Sequence, residues 1–272
     1  MKFLIQKING QLVHDFSFTL LESIRYNNWI HNNKGITYKF INAFEVVEPD
    51  DIYPITMFKP YHKNYVPIGS VDFVEDFLMH FYNITPKPIN VPKELFHHPS
   101  FDFTKRKIFN GNHMDLEDLT GKYFLKSNCK IKGNICVCDI PADKSNYVYN
   151  VPADNYQISE FINVINSEWR AFVYQDKLVG LQNYAGDFTM FPDVSKINAM
   201  IKAYKSAPIA YTLDIGIGEE IYDENLGFFM GNETFVIECH DFFSCGLYGF
   251  ADHKILPYMF SRWFNEYIKK LK

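Results

Sequence analysis

A chain of 272 residues with net charge −5 and a pI near 6.0 has no overall basic field of the kind that holds nucleic acid by its phosphates. Its 47% hydrophobic and 17% aromatic content excludes disorder and leaves ample material for a buried core. No apolar run approaches the roughly 20 residues that span a bilayer.

The opening MKFLIQKINGQL has no signal-peptide hydrophobic region. The five cysteines, Cys129, Cys136, Cys138, Cys239 and Cys245, form no CxxC pair. Together these features suggest free thiols in a reducing cytoplasm and argue against a cysteine zinc site.

In chain order, KFLIQKI reads as a strand. FSFTLLESIRYNNWI follows with Phe18, Leu21, Ile24 and Ile30 at roughly helical spacing. GITYKFINAFEVV returns to strand-like alternation. In PIGSVDFVEDFLMHFYN, Ser70 is placed to cap a helix whose apolar face is Val74, Phe77, Leu78 and Phe81. Pro86, Pro88, Pro92 and Pro99 then deny helix and interior strand, marking a linker or extended connection. A domain boundary is accordingly expected near residue 95, between a small α/β unit, 1–95, and a second domain, 96–272.

The second part is strand-rich: KYFLKSN, NICVCDI, NYQISEFI, EWRAFVY, KLVGLQNY, IAYTLDIGI and TFVIECH. Asp193 or Ser195 caps an intervening helix, VSKINAMIKAYKSA, which Pro208 stops. The chain ends in a helix whose Met259, Trp263, Tyr267 and Leu271 recur every four residues. Such a stripe packs on a core, with lysines at the end that suits the helix dipole.

Charge interrupts the apolar strands at a few points. In SEWRAFVYQDKLVG a strand enters a tight turn, with Trp169, Ala171 and Val173 on one face and Glu168 and Arg170 on the other. That pair sits either on a solvated sheet face or toward a ligand. Asp214 and Glu238 lie on two strands that would bring them together if paired as neighbours in a hairpin. Two such carboxylates either face water or share a hard divalent cation such as Mg²⁺, with His240 beside them. Lys126 ends its strand beside the loop SNCKIKGN, a position suited to nucleotide phosphates. There is no GxxxxGK[ST], no GxGxxG opening a helix and no GxSxG.

The succession KYFLKS, YQISEFINVINSEWRAFVYQDKLVGLQNYAGD, APIAYTLDIGIG and TFVIECHDFFSCGLYGF resembles the ATP-grasp superfamily. Within it, the chain looks like the divergent clade with two characteristic arginines and a lysine. That clade includes many small bacterial and phage proteins and a eukaryotic cell-division-cycle protein that assists translation-factor assembly. The resemblance spans about residue 100 to the C-terminus. It implies an α+β ATP-grasp fold, two lobes gripping nucleotide, preceded by the small N-terminal α/β domain.

By that resemblance Lys126 would meet the ATP phosphates, with Lys132 from the covering loop and Arg106 or Lys107 as an earlier basic contact. Ser159, Glu160 and Phe161 would form the hinge, their backbone meeting adenine and Glu160 the ribose or the adenine amine. Arg170 would face the γ-phosphate, with Glu168 orienting its fork. Asp214, Glu238 and His240 would hold Mg²⁺, although His240 stands where the usual pattern carries an asparagine. The implied activity is an ATP- and Mg²⁺-dependent carboxylate–amine ligase working through an acyl phosphate, with a peptide or protein among the candidate substrates. The same clade offers an alternative, an ATP-binding assembly factor without ligase turnover. Neither nucleic acid nor a membrane is expected as a partner.

Overall fold

The computed structural model describes residues 1–32, 35–42, 58–97, 103–143, 151–162, 164–218, 221–223, 228–230, 232–243 and 245–270. The latter half of the strand expected over 35–47, together with Pro99 and Leu271, lies outside them. The chain packs as two compact units. The first comprises residues 1–86, 208–211 and 241–272, the second residues 87–207 and 212–240. No helix among the described residues is long and apolar enough to cross a membrane.

In the first unit, β1 (Lys2–Lys7), β2 (Thr37–Asn42) and β3 (Val66–Ile68) form a parallel sheet in the order β2-β1-β3. The centre of β1, Phe3, Leu4 and Ile5, is fully buried, as a central parallel strand requires. Helix α1 (Asp15–Ile30) turns Phe16, Leu20, Leu21 and Ile24 inward. Leu21 and Ile24 are thus inward as the spacing predicts, whereas Phe18 and Ile30, counted with them, remain exposed.

Helix α2 (Val71–Tyr82) starts where expected. The Ser70 hydroxyl accepts from the Phe73 N–H, and the helix ends at Asn83 in the left-handed conformation. The C-terminal helix α5 (Leu256–Lys270) packs on α1 and β3. It buries Met259, Phe260, Trp263 and Phe264, and the Trp263 indole donates to Asp241 Oδ1 at 3.0 Å. The stripe therefore serves a core, and that core belongs with residues 1–86.

The second unit holds two four-stranded sheets. One consists of β4 (Ile108–Asn112), β5 (Gly121–Ser127), β6 (Ile135–Ile140) and β7 (Asn155–Glu160), in the order β4-β7-β5-β6 with antiparallel pairs. The other contains β8 (Ile165–Tyr174), β9 (Lys177–Gly186), β10 (Ala210–Gly218) and β13 (Glu233–Asp241), in the order β13-β10-β8-β9. Between β10 and β13 the chain forms a small antiparallel pair, β11 (Ile221–Asp223) with β12 (Phe228–Met230). The tight turn after β8 is the two-residue loop Gln175–Asp176, both at positive φ, the conformation that matches the twist of a hairpin.

Two helices complete this unit, α3 (Lys93–Phe96) and α4 (Val194–Ala203). Asp193 caps α4 by accepting from the N–H groups of Ser195 and Lys196.

The proline-bearing stretch after Lys87 is packed into this unit. Asn90 bridges Cys239, and both backbone groups of Val91 bond the Gln157 side chain, at 2.9 and 2.7 Å. Asn90, Val91 and Leu95 are buried. A peptide anchored in this way cannot serve as a free linker, and the packing divides at Pro86 where the prolines suggest residue 95.

Candidate functional site

The site assembles on three strands of the second sheet and one of the first. β8 lies between β10 and β9, so both its edges are paired, and Arg170 is 7% exposed. The charge put there by the sequence cannot reach water and must be matched inside. Asp214, on the adjacent strand β10 and 3% exposed, provides the match. Arg170 Nε donates to its Oδ1 and Nη2 to its Oδ2, both at 2.8 Å. This bidentate fork is the strongest arrangement available to a guanidinium and a carboxylate.

The sequence reading gave the orienting role to Glu168. That carboxylate instead accepts from the Tyr184 phenol at 2.7 Å, while the Tyr184 ring lies 5.7 Å from the guanidinium carbon. A register shift between Glu168 and Trp169 explains the change. Glu168 faces Ala185 and Trp169 faces Asn183, leaving Tyr184 as the extra residue of a β-bulge. Simple alternation could not show this bulge, and the Tyr184 role was missed with it.

Strand β13 flanks β10 as expected and carries Glu238 and His240. The period of two places both side chains on one face. His240 Nε2 lies 2.7 Å from Glu238 Oε1 and 3.3 Å from Asp214 Oδ2. Lys126, from β5, donates its ammonium to Glu238 Oε2. The donor atoms of Asp214, Glu238 and His240 all lie within 4.8 Å of one another.

Three cationic side chains thus meet two carboxylates. Burial works to raise the Asp214 carboxyl, but the hydrogen bonds from Arg170 and His240 and their charges outweigh it and hold the group below the usual carboxylate range. For Glu238 burial is likewise overcome, by His240 and Lys126, which bring the group down to about 2. Burial opposes the charged form of His240, yet its bonds to the two carboxylates raise it to about 9. The imidazole is therefore cationic at neutral pH, and the cluster carries one net positive charge. Tyr184 is pushed far up by burial, the Asp214 charge and its bond to Glu168, so its phenol remains a donor.

Of the other sequence-derived residues, Arg106 precedes β4, Lys132 lies between β5 and β6, and Ser159 to Phe161 close β7. Arg106 spends its guanidinium on backbone carbonyls. It donates to Thr104, Val236 and Ile237, the latter two at 3.0 and 2.7 Å, and so fixes β13 directly before Glu238. Lys132 is exposed at φ 52 in the β5–β6 loop. Beside it Gly133 is required, since a Cβ there would meet the Lys130 carbonyl at 2.7 Å. Ser159 is buried, its hydroxyl 3.4 Å from the Phe124 carbonyl. The N–H groups of Glu160 and Phe161 donate to the carbonyls of Lys107 and Lys122, at 3.0 and 2.9 Å. Those two donors therefore serve the sheet, and the Glu160 carboxylate accepts from the Lys107 N–H at 2.9 Å. The Lys122 ammonium lies 4.0 Å from the centre of the Phe161 ring.

Comparison with known proteins places this architecture. No curated protein sequence matches the chain. Among solved structures, a RimK-domain ATP-grasp protein from Sphaerobacter thermophilus aligns with a TM-score of 0.51 at 10% identity, covering 99% of this chain and 100% of that one. A D-alanine–D-alanine ligase from Bacillus anthracis, complexed with ATP, aligns with a TM-score of 0.50 at 12% identity over 100% of both chains. At these identities the likeness speaks for the fold, and the fold is ATP-grasp, as the motif succession implied. Residues 103–257, more than half the chain, match the ATP-grasp domain of R2K clade family 2; the protein belongs to that family.

Proposed function

We infer that the protein is an ATP-dependent carboxylate–amine ligase. The observation that carries the reading is the convergence of Lys126, Arg170 and His240 on Asp214 and Glu238 between the two sheets of an ATP-grasp domain. A buried, net-positive cluster of this kind suits the charge of a transferring phosphoryl group. In the reaction, a substrate carboxylate oxygen attacks the γ-phosphorus of ATP and the bond to the β–γ bridging oxygen breaks, releasing ADP. An amine nitrogen then attacks the carbonyl carbon of the acyl phosphate. The C–O bond to phosphate breaks, the amine loses a proton, and an amide and inorganic phosphate remain.

The chain itself supplies position and charge. Lys126 and Arg170 are the groups that would meet phosphoryl oxygens, and Arg170 stays charged at any relevant pH. Asp214 and Tyr184 keep it oriented, through the bidentate fork and the ring beneath it. Glu160, Ser159 and Phe161 would border the base, and Lys132 the phosphates. Once His240 gives up its proton, the convergent donors of Asp214, Glu238 and His240 fit a divalent cation. When bound, such an ion neutralises phosphate charge. No side-chain nucleophile is needed, consistent with a sequence that has no nucleophile motif.

The test is an acyl-phosphate trap. The chain is incubated with ATP, a divalent cation, hydroxylamine and a panel of amino acids and peptides bearing free carboxylates. ADP release with hydroxamate formation, lost in Arg170→Ala, is the expected result. ATP binding without hydroxamate from any carboxylate would favour the assembly-factor alternative.

A further inference from the structure

One short peptide, Asn90 and Val91, ties together three strands around the charged cluster. Lys126 lies one residue from the end of β5, Gln157 stands opposite it on β7, and Glu238 and His240 flank Cys239 on β13. The Cys239 N–H donates to the Asn90 carbonyl at 3.1 Å. The Gln157 side chain takes both backbone groups of Val91, at 2.9 and 2.7 Å. The Asn90 amide then donates through Nδ2 to the carbonyl of Ser127, the residue after Lys126, at 3.0 Å. It also donates to Asn128 Oδ1, at 2.8 Å.

Asn90 is 1% exposed and sits at φ 51, a left-handed conformation that glycine adopts without strain. What asparagine adds to glycine here is the amide, and both of its donor bonds go to the chain directly after Lys126. Reversing that amide would set its oxygen against the Ser127 carbonyl, so the donor faces the strand end. A single residue thereby links Lys126 on one sheet to Glu238 and His240 on the other.

We propose that Asn90 is a positioning residue for the phosphates of ATP. It holds the Lys126 end of β5, and the loop 128–134 that follows, at the separation from β13 that a triphosphate requires. Charged contacts of this kind depend on placement to within a fraction of an ångström. The proposal rests on the ligase reading for the location of the phosphates beside Lys126.

The experiment compares two ligands on the full chain. Mg²⁺–ATP affinity is measured by calorimetry, and adenosine, which lacks the phosphates, by ligand-observed NMR titration. Asn90→Gly keeps the left-handed backbone and the carbonyl bonded to Cys239 while deleting the amide. Asn90→Asp keeps the shape and removes the donor. Both should lose about tenfold in Mg²⁺–ATP affinity with adenosine affinity unchanged. A purely structural role would lower the denaturation midpoint and leave the ratio of the two affinities where it is. Because Asn90 is buried, Asn128→Ala removes one of the same bonds from the loop side, and its ratio should fall in the same direction.

An unchanged ratio in folded Asn90→Gly and Asn90→Asp overturns the proposal. Should neither variant fold, an unchanged ratio in Asn128→Ala overturns it. The ligase reading fails differently: a wild-type chain that binds no Mg²⁺–ATP removes the nucleotide, and this role of Asn90 with it.

Discussion

Burying Arg170 and Asp214 side by side strips water from both charges, and the fork between them compensates only while both partners are present. Arg170→Met should cost about 3–5 kcal/mol in urea denaturation, because Asp214 is left buried with its guanidinium gone. The double variant Arg170→Met with Asp214→Leu should recover much of that loss. Recovery would show that the pair was selected for chemistry more than for stability.

The pH dependence follows from the two shifted groups on β13. His240 is raised to about 9, so its contribution is complete below its ordinary value of 6.5 and lost as pH climbs through 9. Glu238 is lowered to about 2, so its contribution is complete above 4.5 and lost as pH falls toward 2. In metal-free buffer, chemical denaturation should therefore give a plateau across about pH 4.5–6.5 and a decline toward pH 9. That alkaline decline should flatten in His240→Asn. Loss of stability on going from pH 8 to pH 6 would have the wrong sign. The individual charges were legible in the sequence, since Asp214, Glu238 and Arg170 each break an apolar strand. Their pairing was not legible, because a carboxylate two residues away on the same strand is an equally good formal partner for Arg170 until strand order is known.

Among elements, the β8–β9 hairpin shows how much a single inserted residue decides. Without the bulge, Tyr184 would face elsewhere and Glu168 would lose its donor. Tyr184→Phe keeps the ring beside Arg170 and removes the bond, which should cost about 1 kcal/mol in denaturant unfolding. Helix α4 depends on its first residue in a simpler way. Asp193 accepts from two otherwise unpaired N–H groups, and Asp193→Ala should lower stability by about 1 kcal/mol, read by the same assay. Elements with strong local signals, such as α2 with its Ser70 cap, α4 and the tight turn after β8, were readable directly. The limits of the α1 face were not, because apolar residues also stand on its exposed side, Phe18 and Ile30, and spacing alone does not separate them from Leu21 and Ile24. Likewise, proline density spoke to backbone conformation and said nothing of the Gln157 side chain that ties down Val91.

At the scale of the molecule, ATP binding is measurable as stability. A ligand at about a hundred times its dissociation constant adds roughly 2.7 kcal/mol, enough to raise a thermal midpoint by a few degrees. The shift should appear with Mg²⁺–ATP and vanish in Lys126→Ala, and its absence from the wild type would count against nucleotide binding. The first unit carries a further consequence of its composition from three stretches of chain, 1–86, 208–211 and 241–272. Its sheet is made early and its packing partner, α5, comes last, bringing Met259, Phe260, Trp263 and Phe264 to the core. During synthesis, residues 1–86 must therefore wait for 241–272, while the 87–240 region is finished in between. A nascent chain stalled before Leu256 would display an uncovered core, a natural substrate for chaperones that attend nascent chains and a point at which a late frameshift would cost the whole first unit.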